Sequence, residues 1–179
     1  MDILEIYDQH YIRVRKFILA MVKDEWAADD LIQETFLKVR DKVDAIRDPS
    51  KISSWIFRVA SNLCHDHFRK VKKSNLNESQ IAERVVGFEG VSFQMELEQQ
   101  QMGACVQNHI DLLPESLKTV LVLNDVAGFT HREIADILHT TVENVKVRLH
   151  RGRKKLRSIL EAECQFDRDE RNVLVCIPR

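Results

Sequence analysis

The chain has 179 residues, 44% of them apolar, which suffices for a buried core and excludes wholesale disorder. Five Gly and three Pro are too few for a turn-rich β fold and point to long helices. The formal net charge of -1 excludes an overall basic or acidic chain, so the placement of charge carries the information. Seven Lys or Arg and no acid lie between Lys146 and Arg157, while five acids and no base lie between Asp24 and Glu34. That segregation points to two partners on two faces. No run of 18 apolar residues offers a membrane span, and the acidic start MDILEIYDQHY lacks the pattern of a signal peptide, so a cytosolic protein is expected.

In chain order, apolar residues at Ile3, Ile6, Tyr7, Tyr11, Val14, Phe17, Ile18 and Met21 predict a helix over 2–22. Asp24 is placed to cap a second helix whose first-turn acids suit the helix dipole. Its apolar residues are Trp26, Ala27, Leu31, Phe36, Leu37 and Val39. A turn at Arg47-Asp48-Pro49-Ser50 leads to a third helix, from Ile52 through Trp55, Ile56, Val59 and Leu63 to Lys70. From Lys72 to Gly90 the sequence is polar and reads as a linker, with a short helical pattern over 78–86. Helical pattern resumes near Phe93, and Pro114 stands where a new helix would begin.

Residues 114–160 are the most informative. Leu117, Val120, Leu121 and Leu123 form an apolar face that ends at Ala127-Gly128. Thr130-His131-Arg132-Glu133 reads as a capping box for a short helix, and Thr140-Thr141-Val142-Glu143 as a second one for a longer helix to Leu160. Two capped helices a few residues apart describe a helix-turn-helix, whose second helix enters the major groove. Its inward positions are Val142, Val145, Leu149 and Leu156. Early residues of such a helix reach base edges and later cations meet phosphates. A merely solvated basic helix is the bland alternative. Beyond Cys164, Val173-Leu174-Val175 favours an extended segment.

The first half holds a second cationic group: Arg58, Arg69, Lys70, Lys72 and Lys73, with Trp55 and Phe57 close by. Aromatics beside cations suit a single strand, whose bases stack while phosphates are neutralised. On residue types alone, the ordinary reading is that the rings are core and the cations surface. The acidic stretch has the same alternative, a solvated face. Cys64, His65 and His67 supply too few ligands on one helix face for zinc. Cys164 and Cys176 are read as small apolar residues, with a disulfide or metal role left open. No catalytic motif is present, and no cofactor is implied.

DDLIQETFLKV followed by SSWIFRVASNLCHDHFRK resembles the second conserved region of extracytoplasmic-function sigma factors. LLPESLKTVLVLNDVAGFTHREIADIL followed by VENVKVRLHRGRKKL resembles their fourth, so the resemblance spans residues 7–160. It implies an RNA polymerase sigma factor that is not an enzyme. It implies that Asp29, Asp30, Gln33 and Glu34 dock on the clamp helices of the largest subunit of core RNA polymerase. It places Asn62, Asp66, Arg69 and Lys70 at the minus-ten element, single-stranded once melted. It places the last helix on duplex minus-thirty-five DNA, with Asn144, Lys146, Val147 and Arg148 near bases and Arg151, Arg153 and Lys154 at phosphates. The resemblance also implies an anti-sigma factor as partner, often membrane-anchored, which would sequester a cytoplasmic chain at the inner membrane. Many relatives have small residues where this chain has Glu143-Asn144, and Ser where it has Val147, so base preference does not transfer.

The expected architecture is all-α, two small helical domains joined by a flexible linker. The expected boundaries are 1–72 for the polymerase-binding and melting domain, 73–104 for the linker, 105–161 for the helix-turn-helix and 162–179 for an extension. A stand-alone helix-turn-helix regulator is the rival, and the all-helical acidic N-terminal half does not resemble the sensor domain it would carry.

Overall fold

The computed structural model describes residues 2–43, 46, 48–75, 109–168 and 174–178. The expected linker, apart from residues 73–75, and the helical pattern at 78–86 and Phe93 lie outside the described residues. Two compact units are present, one of Met1–Val86 with Val122–Lys146 and one of Gly87–Leu121 with Val147–Arg179.

In the first unit, α1 spans Ile3–Val22, α2 Glu25–Lys42 and α3 Ile52–Asn75. Asp2 caps α1 by accepting from the Leu4 amide at 3.0 Å. Lys23 ends it in the left-handed region, φ 60°, with its amide donating to Leu19 O. Asp24 at once caps α2, accepting from the Ala27 amide at 3.0 Å. These two residues fix the reversal between α1 and α2. Val14, Phe17, Ile18 and Met21 of α1, Ala28, Leu31, Ile32, Phe36 and Val39 of α2, and Ile56, Phe57, Ala60 and Cys64 of α3 are buried. Phe17 meets Phe57 edge-on with centroids 5.5 Å apart, an arrangement that contributes about 0.5–1.5 kcal/mol beyond area burial.

The same unit takes in the first part of the helix-turn-helix. A π turn at Val122–Val126 ends with the Ala127 amide on Val122 O and the Phe129 amide on Leu123 O. Gly128, φ 75°, supplies the left-handed residue of this stop. The next helix, His131–Leu138, packs against α3. It follows a shorter helix in the second unit, so the two are numbered α4 (Glu115–Leu121) and α5 (His131–Leu138). Thr130 and Glu133 form the predicted capping box: Glu133 N donates to Thr130 Oγ1 at 3.3 Å, and Thr130 N to Glu133 Oε2 at 2.8 Å.

In the second unit, the amides of Leu117 and Lys118 donate to Pro114 O at the start of α4. Lys118, almost wholly buried, is paired with Asp111. The final helix, α6, spans Val142–Glu163. Its Gly152 packs so closely on Leu121 that a Cβ there would come within 3.0 Å of Leu121 Cδ1. Past α6, β1 (Cys164–Arg168) and β2 (Leu174–Pro178) pair antiparallel, Cys164 opposite Pro178 and Phe166 opposite Cys176. Leu174 and Val175, from the segment expected to be extended, thus lie in the second arm of a short hairpin appended to the helical fold.

Candidate nucleic-acid and polymerase interface

Three polar faces correspond to the residues singled out from the sequence. On α2, Asp29, Asp30, Gln33 and Glu34 are all exposed, interleaved with the buried Leu31, Ile32, Thr35 and Phe36. Glu34 is bridged to Lys38 at 3.3 Å, a solvent-exposed i,i+4 pair of small energetic weight. Asp29 and Gln33 also border a groove of about 440 Å³ between α1 and α2. Its floor is aromatic: Tyr7 stacks on Tyr11 at 4.9 Å and tilts against Phe36 at 4.7 Å. Trp26, one turn before Asp29 and Asp30, is 85% exposed.

On α3, Asn62, Arg69 and Lys70 are exposed and Asp66 half-buried. Asp66 and Arg69 form an i,i+3 ion pair, so the acid orients the guanidinium along the helix. The rest of the first-half cluster divides differently. Phe57 is fully buried in the core, and Trp55 is half-buried. Arg58 donates to the backbone carbonyls of Asp136 and Ile137. The ordinary reading of Phe57 as core therefore holds, and Arg58 serves the protein's own backbone in this structure.

On α6, the cap differs from expectation by one residue. Thr141, not Thr140, is the cap: its Oγ1 accepts from Asn144 N at 3.1 Å, and its carbonyl from Val145 N. Asn144 thereby takes the third helical position that the sequence reading gave to Glu143. Two successive threonines are equally competent caps, and the register is decided by seating Val145 and Leu149 in the core. Val142 and Leu156 are half-buried, and Gly152 joins the inward face instead. Asn144, Lys146, Val147, Arg151, Arg153 and Lys154 are exposed, with Arg148 half-exposed. Helical spacing thus gathers these side chains outside a narrow inward stripe.

Sequence reasoning missed Arg13, Phe129 and Asp136. Arg13 Nη2 donates to Ala127 O at 2.8 Å, and Lys51 Nζ lies 3.2 Å from Asp136 Oδ2. No local pattern could have announced them, because Arg13 and Ala127 are 114 positions apart and Lys51 and Asp136 are 85 apart.

The comparisons with known proteins agree with this arrangement. Residues 6–74 match the family model of Sigma-70 region 2, and residues 104–156 that of Sigma-70, region 4. The chain is 31% identical over 169 residues to RNA polymerase sigma factor SigZ of Bacillus subtilis, covering 94% of this chain and 93% of that one. ECF RNA polymerase sigma factor SigW of the same organism is 29% identical over 89% of this chain and 87% of its own length. The solved structure of the sigma factor RpoE with the anti-sigma factor NepR from Bartonella quintana superposes with a TM-score of 0.71 at 18% identity, over 88% of this chain and 97% of that one. CnrH, solved with the cytosolic domain of CnrY, gives 0.66 at 21% identity, over 89% and 88%. The two matched regions are those of a transcription initiation factor. The chain belongs to the sigma-70 family, as a sigma factor of the extracytoplasmic-function type. It is not an enzyme; its activity is to bind core polymerase and direct promoter recognition and initiation.

Proposed function

We propose a division of labour among the three faces. Asp29, Asp30, Gln33 and Glu34 meet the clamp helices of core polymerase. Asn62, Asp66, Arg69 and Lys70 receive the minus-ten element, and α6 reads the minus-thirty-five element from the major groove. The observation that carries this reading is α6 itself. It is capped by Thr141, seated on Val145 and Leu149, and exposes Asn144, Lys146 and Val147 at its start and Arg151, Arg153 and Lys154 later. Residues 1–72 and 105–161 serve as the two working domains, with 73–104 the tether and 162–179 an extension. Linking two modest contacts raises their effective concentration for one another, so opening is driven by binding and needs no covalent step.

Regulation by an anti-sigma factor fits this reading, since the RpoE structure named above was solved with the anti-sigma factor NepR. Among the described residues no helix is long and apolar enough to cross a membrane. The chain acts in the cytoplasm, and an anchored inhibitor would hold it at the inner membrane. Run-off transcription with purified core polymerase, combined with selection from randomised promoters, tests the reading. The expected product is a consensus with two separated blocks. Selection of one block, unmoved by substitutions in α6, would contradict it.

A further inference from the structure

Glu143 is an exposed acid in the first turn of the helix assigned to duplex DNA. The cap of α6 runs from Asn144 N to Thr141 Oγ1 at 3.1 Å, so Glu143 does not hold the third helical position from which a carboxylate reaches back. The residue four positions on, where a cation would pair with it, is Val147. Among the described residues no hydrogen bond or ion pair engages its carboxylate. Seven cations and no acid follow it between Lys146 and Arg157. An acid placed before them weakens attraction to phosphate. Complementing the helix dipole explains an acid in the first turn, but that role is indifferent to DNA sequence.

Placement on the helix points to a second role. Val145 is fully buried. Glu143 and Val147 stand two residues to either side of it, each about 200° around the helix from it. Both therefore lie on the face opposite the core, with Arg151 and Lys154 continuing the stripe. A recognition helix turns that face into the major groove. Val147, an apolar side chain 46% exposed, has no solvent role there.

We propose that Glu143 and Val147 set the base preference of α6, for a cytosine and a nearby thymine. The inference rests on the assignment of α6 to the upstream element made above. An ionised carboxylate only accepts hydrogen bonds. Cytosine presents only its N4 amino group in the major groove, whereas guanine and thymine present acceptors and adenine sets N7 beside its amino group. Glu143 thus accepts from cytosine N4 and repels guanine O6 and thymine O4. Discrimination comes as much from the repulsion as from the bond. Val147 packs on the thymine C5 methyl group, the one apolar feature of the groove. Four residues of helix advance about 6 Å, which is roughly two base steps of 3.4 Å.

The test uses the full chain bound to core polymerase, with promoters randomised over the upstream block. The parent chain is expected to select a cytosine, with a thymine within about two base steps. Glu143→Gln adds a donor to the side chain, so cytosine should give way to adenine or to no preference, with discrimination against guanine and thymine falling about tenfold. Deoxyuridine in place of the selected thymine removes only the methyl group. It should weaken binding by the parent chain and not by Val147→Ala. This comparison needs no variant for its first arm, and circular dichroism checks that the variants fold. An upstream block without cytosine, or cytosine kept equally by Glu143→Gln, overturns the role of Glu143. Equal binding of thymine and deoxyuridine by the parent chain overturns that of Val147. Arg151→Ala separates the two levels of the argument. If it weakens upstream binding while Glu143→Gln leaves the consensus intact, only the base preference fails. If neither variant affects the upstream block, the assignment of α6 fails and the base preference with it.

Discussion

Gly152 of α6 and Leu121 of α4 touch so closely that a methyl group on Gly152 would crowd the leucine, 3.0 Å from Leu121 Cδ1 and 3.2 Å from Cγ. Leu121 is itself buried and cannot swing away freely. Gly152→Ala sets this crowding against the helix preference of Ala, about 1 kcal/mol, and should change stability little. Gly152→Val adds bulk without that preference and should cost about 1–3 kcal/mol. Urea denaturation of the two variants checks the contrast, and equal midpoints would show that α6 does not approach α4 so closely.

The capping box at α5 makes a pH prediction. Hydrogen bonds from the side chain and backbone of Thr130 hold the Glu133 carboxyl below its ordinary value of 4.5. The folded state therefore binds this proton less readily than the unfolded chain does. The stabilisation is fully present above pH 4.5 and is lost as pH falls through the lower folded value. Glu133→Gln should flatten this part of the acid-side fall in stability, and Thr130→Ala should cost about 0.5–2 kcal/mol at neutral pH. Denaturation midpoints at pH 7 and pH 4 measure both, and an unchanged acid slope in Glu133→Gln would remove the carboxylate from the account.

Polymerase docking is tested by charge reversal on α2. Asp30→Lys with Glu34→Lys replaces two exposed acids, with loss of the weak Glu34–Lys38 bridge. Stability should move by no more than about 0.5–1 kcal/mol. Affinity for core polymerase should fall at least tenfold, about 1.4 kcal/mol. A pull-down titration reporting unchanged affinity would move the docking face elsewhere.

The two ends of α6 should differ in kind. Replacing Arg151, Arg153 or Lys154 should weaken DNA binding about equally across sequences and lower the salt slope by roughly one. Replacing whichever of Asn144, Lys146, Val147 or Arg148 makes a paired base contact should cost roughly 1–3 kcal/mol and relax preference at one upstream position. Binding titrations against promoter variants at two salt concentrations separate the classes. Identical behaviour of early and late substitutions would remove α6 from the role of reader.

What could be read from the sequence was local. Asp24 and Thr130 announce helix starts because a cap is a contact over three residues. Val145 and Leu149 announce an inward face because the helical period repeats within one turn. The family motifs supplied roles for Asp30 and Arg69 that exposure alone would have left as solvated surface. Gly152 was not legible as a core residue, because a missing side chain leaves no apolar signal. Arg13 and Arg58 were illegible for a different reason: their partners are fixed by the packing of the π turn on α1 and of α5 on α3, and sequence period carries no trace of such meetings.

The contact between Arg58 and Ile137 also orders events in time, since 79 positions separate the two. A ribosome adding about 5–20 residues per second takes roughly 4–16 s to travel from one to the other. During that interval α1, α2 and most of α3 have been synthesised, while the segment that covers Phe57 does not yet exist. A newborn chain therefore exists for several seconds as α1, α2 and α3 without the segment that completes the burial of Phe57.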